Sequence, residues 1–166
     1  DPRPGEIMFG LNLVVNRGKT IFICDTSVIE YPDANQLADM AKSAARVVKL
    51  FGFDPKVAFL SHSTFGQPVT DRTKRISDAV EILKKSNVDF KFDGEMQPDV
   101  ALEEIYKELY PFSEIVGSSN VLIMPSQHSA AISYKMIKSM SRAKVIGPLL
   151  IGLGLPIEIA PLRSST

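Results

Sequence analysis

Apolar and polar positions alternate with two different periods along this chain, and the switches between them mark its elements. Ile7 to Val15 and Lys19 to Cys24 are β-rich runs joined across Asn16-Arg17-Gly18, a hairpin signal. Leu37, Met40, Ala41, Ala44, Val48 and Phe51 recur at helical spacing, so Ala34 to Phe51 is predicted as an amphipathic helix. Asp33 or Asn35 suits its start and Gly52 its stop. Lys56 to Leu60 predicts a short buried strand, followed by the polar loop Ser61-His62-Ser63-Thr64-Phe65-Gly66. Ile76, Val80 and Leu83 predict a helix from about Asp71 to Lys85. Val88 to Phe92 predicts the next strand, with Asp93-Gly94-Glu95-Met96-Gln97 as the loop behind it. Val100, Leu102, Ile105 and Leu109 predict a helix that Pro111 ends. Val121 to Met124 predicts a strand, and Pro125-Ser126 leads into a helix from about Gln127 to Met140. Val145 to Gly154 is apolar and Gly-rich, unlike the surface helices before it.

Strands alternating with helices imply parallel pairing through crossover helices. The opening hairpin adds antiparallel pairing. The expected fold class is therefore α/β, a three-layer αβα arrangement around a mixed, mostly parallel sheet. In such a sheet the loops after the strands gather at one edge, where open α/β folds bind ligands. Those loops carry Thr26, Ser61, His62, Ser63, Thr64, Asp93, Glu95, Met124 and Pro125, which are the candidate ligand-binding residues.

Composition narrows the classes of function. The chain has 166 residues, enough for one domain with a real core, and 45% are hydrophobic, as in a globular protein. Formal net charge is zero, so no overall field recruits nucleic acid or an anionic membrane. No apolar run approaches the length that spans a bilayer. One cysteine, Cys24, excludes an internal disulfide framework, and no Cys/His spacing suits zinc. A cytoplasmic location is expected. The start, Asp1-Pro2-Arg3-Pro4-Gly5, reads as a cut through a longer protein at a Pro-rich linker.

Four stretches in matching order resemble the phosphate acetyl/butyryltransferase family. They are Asp93-Gly94-Glu95-Met96-Gln97-Pro98-Asp99, Ser61-His62-Ser63-Thr64-Phe65-Gly66, Asn120 to Ser126, and Gly147-Pro148-Leu149-Leu150-Ile151-Gly152-Leu153-Gly154-Leu155-Pro156. The likeness runs from about Gly10 to Ser165. It implies a two-domain α/β architecture related to isocitrate and isopropylmalate dehydrogenases. Residues 1–143 would be the inserted α/β domain, and 144–166 the start of the return to a domain half absent here. The family moves an acetyl group between coenzyme A and phosphate, so acetyl-CoA or CoA is the implied ligand.

The resemblance also implies departures. The family's Ser-Arg pair falls on Pro161 and Leu162, and its early cysteine maps near Thr26. Proline cannot replace a hydroxyl, and leucine cannot supply a guanidinium fork for phosphate. No catalytic residue is therefore assigned. This pattern is similar to one branch, the C-terminal phosphotransacetylase-like domain of hybrid malic enzymes. Their oxidative decarboxylation of malate with NADP and a divalent metal belongs to N-terminal domains absent here. An acetyl-CoA-sensing, oligomerising module, at least a homodimer, is what this branch implies. The rival readings are a fragment of an active phosphate acetyltransferase and a dimerisation scaffold without a ligand.

Single residues weigh less. His62 lacks an identifiable partner for general-base work and reads as a loop histidine or a ligand contact. Asp93 and Glu95 are not read as an acid–base pair; one is expected to cap the next helix and the other to face the cleft. Arg72, Lys74 and Arg75 sit at a helix start, against its dipole, so a coenzyme A phosphate, a subunit or solvent would face them, and solvent is the favoured reading. Cys24 is expected in the core, and the methionines mostly as core filler.

Overall fold

The computed structural model describes residues 6–154 and 157–158. Strands β1 (Phe9–Asn16) and β2 (Lys19–Cys24) form the expected hairpin. Asn16 pairs with Lys19, and Arg17 and Gly18 between them take φ of 50° and 78°, the left-handed pair of a type I′ turn. Helix α1 (Ala34–Leu50) begins with a capping box. The Gln36 N–H donates to Asp33 Oδ1 at 2.8 Å, and the Asp33 N–H donates to Gln36 Oε1 at 2.9 Å. Then follow β3 (Lys56–Leu60), α2 (Asp71–Lys84), β4 (Lys91–Met96), α3 (Pro98–Leu102), a 3-10 turn (Glu104–Lys107), β5 (Val121–Ile123), α4 (Gln127–Met140), β6 (Lys144–Ile151) and β7 (Ile157–Glu158).

These strands form one sheet in the order β4-β3-β5-β2-β1-β6-β7. Pairing is parallel from β4 through β2 and antiparallel from β2 through β7. Side-chain alternation sorts the strands' residues onto two buried faces. Phe22, Cys24, Val57, Phe59, Val121 and Ile123 meet α1 and α2 on one face. Ile23, Ala58, Leu60 and Leu122 meet α3, Ile115, Val116 and Ala130 on the other. The three-layer αβα architecture expected from the sequence is thus present, with a mixed sheet.

Two elements depart from expectation. The fourth strand begins at Lys91, not Val88, and takes in Asp93, Gly94 and Glu95, which the sequence pattern places in a loop. Val88 and Phe90 pack beneath α1 and α2 ahead of the strand, so their apolar character serves the core without strand pairing. The helix expected through Leu109 stops at Leu102. Its carbonyls at Val100 and Ala101 are taken by the N–H groups of Gly117 (2.9 Å) and Ser119 (3.1 Å), so the next turn cannot close on them. Ile105 and Leu109 are accordingly exposed. Met40, Met96 and Met124 are core residues, but Met136 and Met140 lie exposed on α4. The Gly-rich stretch after Ala143 forms β6, antiparallel to β1.

Gly94 sits where the β3–β4 register shifts, with φ of 149°. A Cβ there would lie 2.8 Å from both Phe59 Cβ and the Phe59 carbonyl oxygen. Gly94→Ala is expected to cost about 2–3 kcal/mol through crowding and backbone strain. It should lower the urea midpoint at constant m; an unchanged midpoint would contradict this packing.

Cys24 is fully buried, with Sγ 3.9 Å from the Leu122 carbonyl oxygen. Burial, and then the Asp25 charge, push its thiol well above the ordinary value of 9.0. A folded-state value raised in this way means stability is intact below pH 9.0 and falls above it, as the thiol ionises in the unfolded chain first. Native protein at pH 8 is expected to resist iodoacetamide until denaturant unfolds it. Rapid native labelling would refute the burial.

Candidate functional site

At the carboxyl ends of β3 and β5, between α2 and α4, lies a cavity of ≈ 460 Å³. That volume suits a small organic ligand. Leu60, Ile76, Pro98 and Met124 give it apolar walls. Its polar lining comes from Tyr31, Ser61, His62, Arg72, Arg75, Ser126, Ser129 and Ser133, and no carboxylate lines it.

Arg75 builds one wall. Its Nη2 donates to the Pro125 carbonyl at 2.8 Å, Nη1 donates to the Pro32 carbonyl, and the guanidinium lies 3.7 Å from the Tyr31 ring centroid. One planar fork thereby ties α2 to the loops after β2 and β5. Burial draws its pKa below the usual arginine range, while Tyr31 and Asp33 push it back up. The reading of this cluster as facing solvent is corrected for Arg75, whose two Nη groups bond backbone carbonyls, while its buried Nε has no hydrogen-bond partner among the described residues. Arg72 does face solvent, at the cavity's rim.

The loop after β3 is held from below by Glu95, which is 1% exposed. Its Oε1 accepts from Ser63 Oγ at 3.0 Å and from the Gly66 N–H at 2.6 Å. Its Oε2 accepts from Ser77 Oγ of α2 at 2.5 Å. The Phe65 N–H donates to the Glu95 carbonyl at 2.8 Å, and the Ser61 N–H to the Met96 carbonyl at 3.0 Å. Three neutral donors therefore meet this buried charge. Neither Glu95 nor Asp93 caps the following helix, whose start at Gln97 has no side-chain cap. Asp93 Oδ1 accepts only locally, from the Gly94 N–H at 2.9 Å.

A second buried carboxylate organises the loop after β2. Asp25 accepts from the N–H groups of Gly10 (2.8 Å), Ser27 (2.8 Å), Val28 (3.1 Å) and Ile29 (2.5 Å). The structure thus treats Asp25 as a loop clamp. Thr26 beside it is buried, and its Oγ1 has no hydrogen-bond partner among the described residues.

Of the sequence-derived candidates, Ser61, His62, Met124 and Pro125 come together on the cavity wall. Ser63 and Glu95 lie behind that wall, and Thr64 faces a second hollow beside Phe65, Tyr106 and Phe112. Thr26 and Asp93 line neither. Pro161 and Leu162 lie outside the described residues. Tyr31, Ser129 and Ser133 were missed, although Ser126-x-x-Ser129 is a legible capping pair at the start of α4. Among the described residues no group of three or more His, Cys, Asp or Glu side chains is placed to hold a metal ion. No described helix is long and apolar enough to cross a membrane.

Comparison with known proteins gives this site a family. An NADP-dependent malic enzyme of Rhizobium meliloti (strain 1021) is 45% identical over 164 residues, covering 99% of this chain and 22% of that protein. A phosphate acetyltransferase of Bacillus subtilis (strain 168) is 34% identical over 147 residues, covering 87% of this chain and 46% of that one. The chain therefore spans less than half the length of either relative. A phosphotransacetylase structure from Streptococcus pyogenes superposes with a TM-score of 0.89 at 31% identity, over 94% of this chain and 49% of that one. The phosphate acetyl/butaryl transferase pattern matches residues 2–164. With its fold and nearly its whole length in agreement, this chain belongs to the phosphate acetyl/butaryl transferase family, as a phosphotransacetylase-like domain matching the C-terminal part of malic enzymes.

Proposed function

We propose that this chain is the regulatory domain of an NADP-dependent malic enzyme, binding acetyl-CoA in the cavity between α2 and α4 without turning it over. One observation carries the reading. The cavity has apolar walls, two arginines and a histidine, and no carboxylate. That lining matches an apolar acyl-pantetheine arm continuing into phosphates, with Arg72 at the rim for the anionic end.

The non-catalytic part rests on sequence. Pro161 and Leu162 occupy the family's Ser-Arg positions, and Thr26 stands near its cysteine. In the parent protein, malate would be converted to pyruvate and CO2 by N-terminal domains using NADP and a divalent metal, in the cytoplasm. Residues 1–143 would then form the inserted domain and 144–166 the return towards the other domain half. Ile132, Met136 and Met140 on α4 and Ile146 on β6 are exposed and apolar, which supports burial against that half or in a homodimer. A ligand bound here would regulate the distant site to the extent that the two states of the enzyme bind it with different affinity.

Calorimetry with acetyl-CoA is expected to show stoichiometric binding to this chain, or to a longer chain restoring the missing half. Assay of the same protein with acetyl-CoA and phosphate should give no acetyl phosphate above a blank. Absence of binding in both chains would sink the acetyl-CoA reading, and acetyl phosphate formation would overturn the non-catalytic one.

Arg75→Lys keeps the charge but cannot hold the Pro32 and Pro125 carbonyls together. It is expected to weaken acetyl-CoA by about tenfold, the worth of one or two lost hydrogen bonds. Unchanged affinity would show that the fork does not shape the cavity.

A further inference from the structure

The turn of the opening hairpin carries a residue that its own geometry disfavours. Arg17 and Gly18 take φ of 50° and 78°. Asn, Asp or Gly suits the first of these positions, because a long side chain at positive φ crowds its own backbone. Arg17 gains no ion pair in exchange among the described residues. It gains a neighbour of like charge instead. Strands β1 and β6 pair Val14 with Val145 and Val15 with Lys144, and the same register carried past Val15 sets Arg17 opposite Arg142. Like charges placed opposite one another repel. Both side chains line one hollow of ≈ 480 Å³ with Asn16, Ser139, Met140 and Ser141, and no carboxylate lines it. Arg142 is held in place from both sides. Ser141 Oγ donates to the Ile137 carbonyl at 2.6 Å and accepts from the Ala143 N–H at 3.1 Å, which fixes the turn from α4 into β6. The carboxyl end of α4 favours a nearby cation, but Lys138 in its last turn already supplies one. That effect does not call for two guanidiniums brought from separate elements. An anion seated between the two forks offsets both the repulsion and the disfavoured turn residue.

We propose that the hollow between the Arg17-Gly18 turn and the end of α4 binds a phosphoryl group, as free phosphate or as a phosphate monoester. Two guanidinium forks can share the oxygens of one phosphate, whereas a carboxylate is filled by a single fork. The Asn16 amide and the Ser139 hydroxyl add neutral donors on the same wall. Met140, 85% exposed beside them, offers apolar surface to the body of a monoester. The hollow lies at the opposite end of α4 from the cavity described above, whose α4 residues are Ser126, Ser129 and Ser133. It is therefore a second site, and it does not depend on the acetyl-CoA reading. Arg17 is the residue that distinguishes a binding role from a structural one, because the fold itself is better served by asparagine at that position.

The test is an NMR titration of the isotope-labelled chain with inorganic phosphate, phenyl phosphate and succinate, in a buffer free of other phosphate. Both phosphates are expected to give saturable shifts at the backbone amides of 16–18 and 139–144. Arg17→Asn and Arg142→Gln should each weaken inorganic phosphate at least about tenfold, the worth of a charge-assisted hydrogen bond. Arg17→Asn should at the same time raise the urea midpoint, because it restores a favoured turn pair. Loss of phosphate from a more stable protein is a result that a merely structural role for Arg17 does not give. Phenyl phosphate binding more tightly than phosphate, with the excess lost in Met140→Ser, would assign a monoester; equal affinity would assign free phosphate, and either supports the site. Shifts that do not saturate, or unchanged affinity in either arginine variant, would overturn the proposal. A lower urea midpoint in Arg17→Asn would make Arg17 a structural residue and overturn it too. Succinate binding as tightly as phosphate would overturn the phosphoryl assignment. Shifts centred on 61–66 would place the phosphate in the other cavity and overturn the second site.

Discussion

A carboxylate with almost no exposure holds the working end of this fold together. Glu95 lies on β4, receives the loop after β3 through Ser63 and Gly66, and receives α2 through Ser77. No other side chain in the described structure joins those three elements through one group. Burying a charge in this way is costly unless donors meet it, and leaving any of its three donors bare would cost on the order of 1–3 kcal/mol. The position of Ser61 and His62 on the cavity wall follows from that constraint, because the loop they open is pinned along its length. Asp25 plays the matching part after β2, clamping four backbone N–H groups. Two buried acids thus shape the post-strand edge without lining the cavity they shape.

Much of the architecture was legible because local signals and tertiary packing agree. The Arg17-Gly18 turn, the Asp33 cap and the apolar stripe of α1 each say the same thing at two levels. Where they disagree, tertiary pairing decides. Lys91 to Met96 contains a glycine and two acids and has low strand propensity, yet it pairs with β3 because Glu95 has partners on the far side. Ile105 and Leu109 keep helical spacing but are exposed, since the carbonyls that would extend the helix are occupied by Gly117 and Ser119.

The candidate site was less legible than the fold. Residues adjacent to strand ends were found: Ser61, His62, Met124 and Pro125. Tyr31 was not, and neither was the role of Arg75, since their meeting depends on a guanidinium spanning 43 residues to Pro32 and 50 to Pro125. Nor does sequence reveal that Ser63 and Glu95 face inwards while Ser61 faces the cavity. That separation matters for function, because it divides residues that would touch a ligand from residues that set how they touch it.

The cavity between α2 and α4 is the proposed binding site for acetyl-CoA. Backbone hydrogen exchange with and without acetyl-CoA tests it most directly, because it reads location without relying on any variant. Added protection is expected at 61–66 and 125–129, the loop after β3 and the start of α4 that frame the cavity. Protection confined to other segments, with those two unchanged at saturating ligand, would contradict that site.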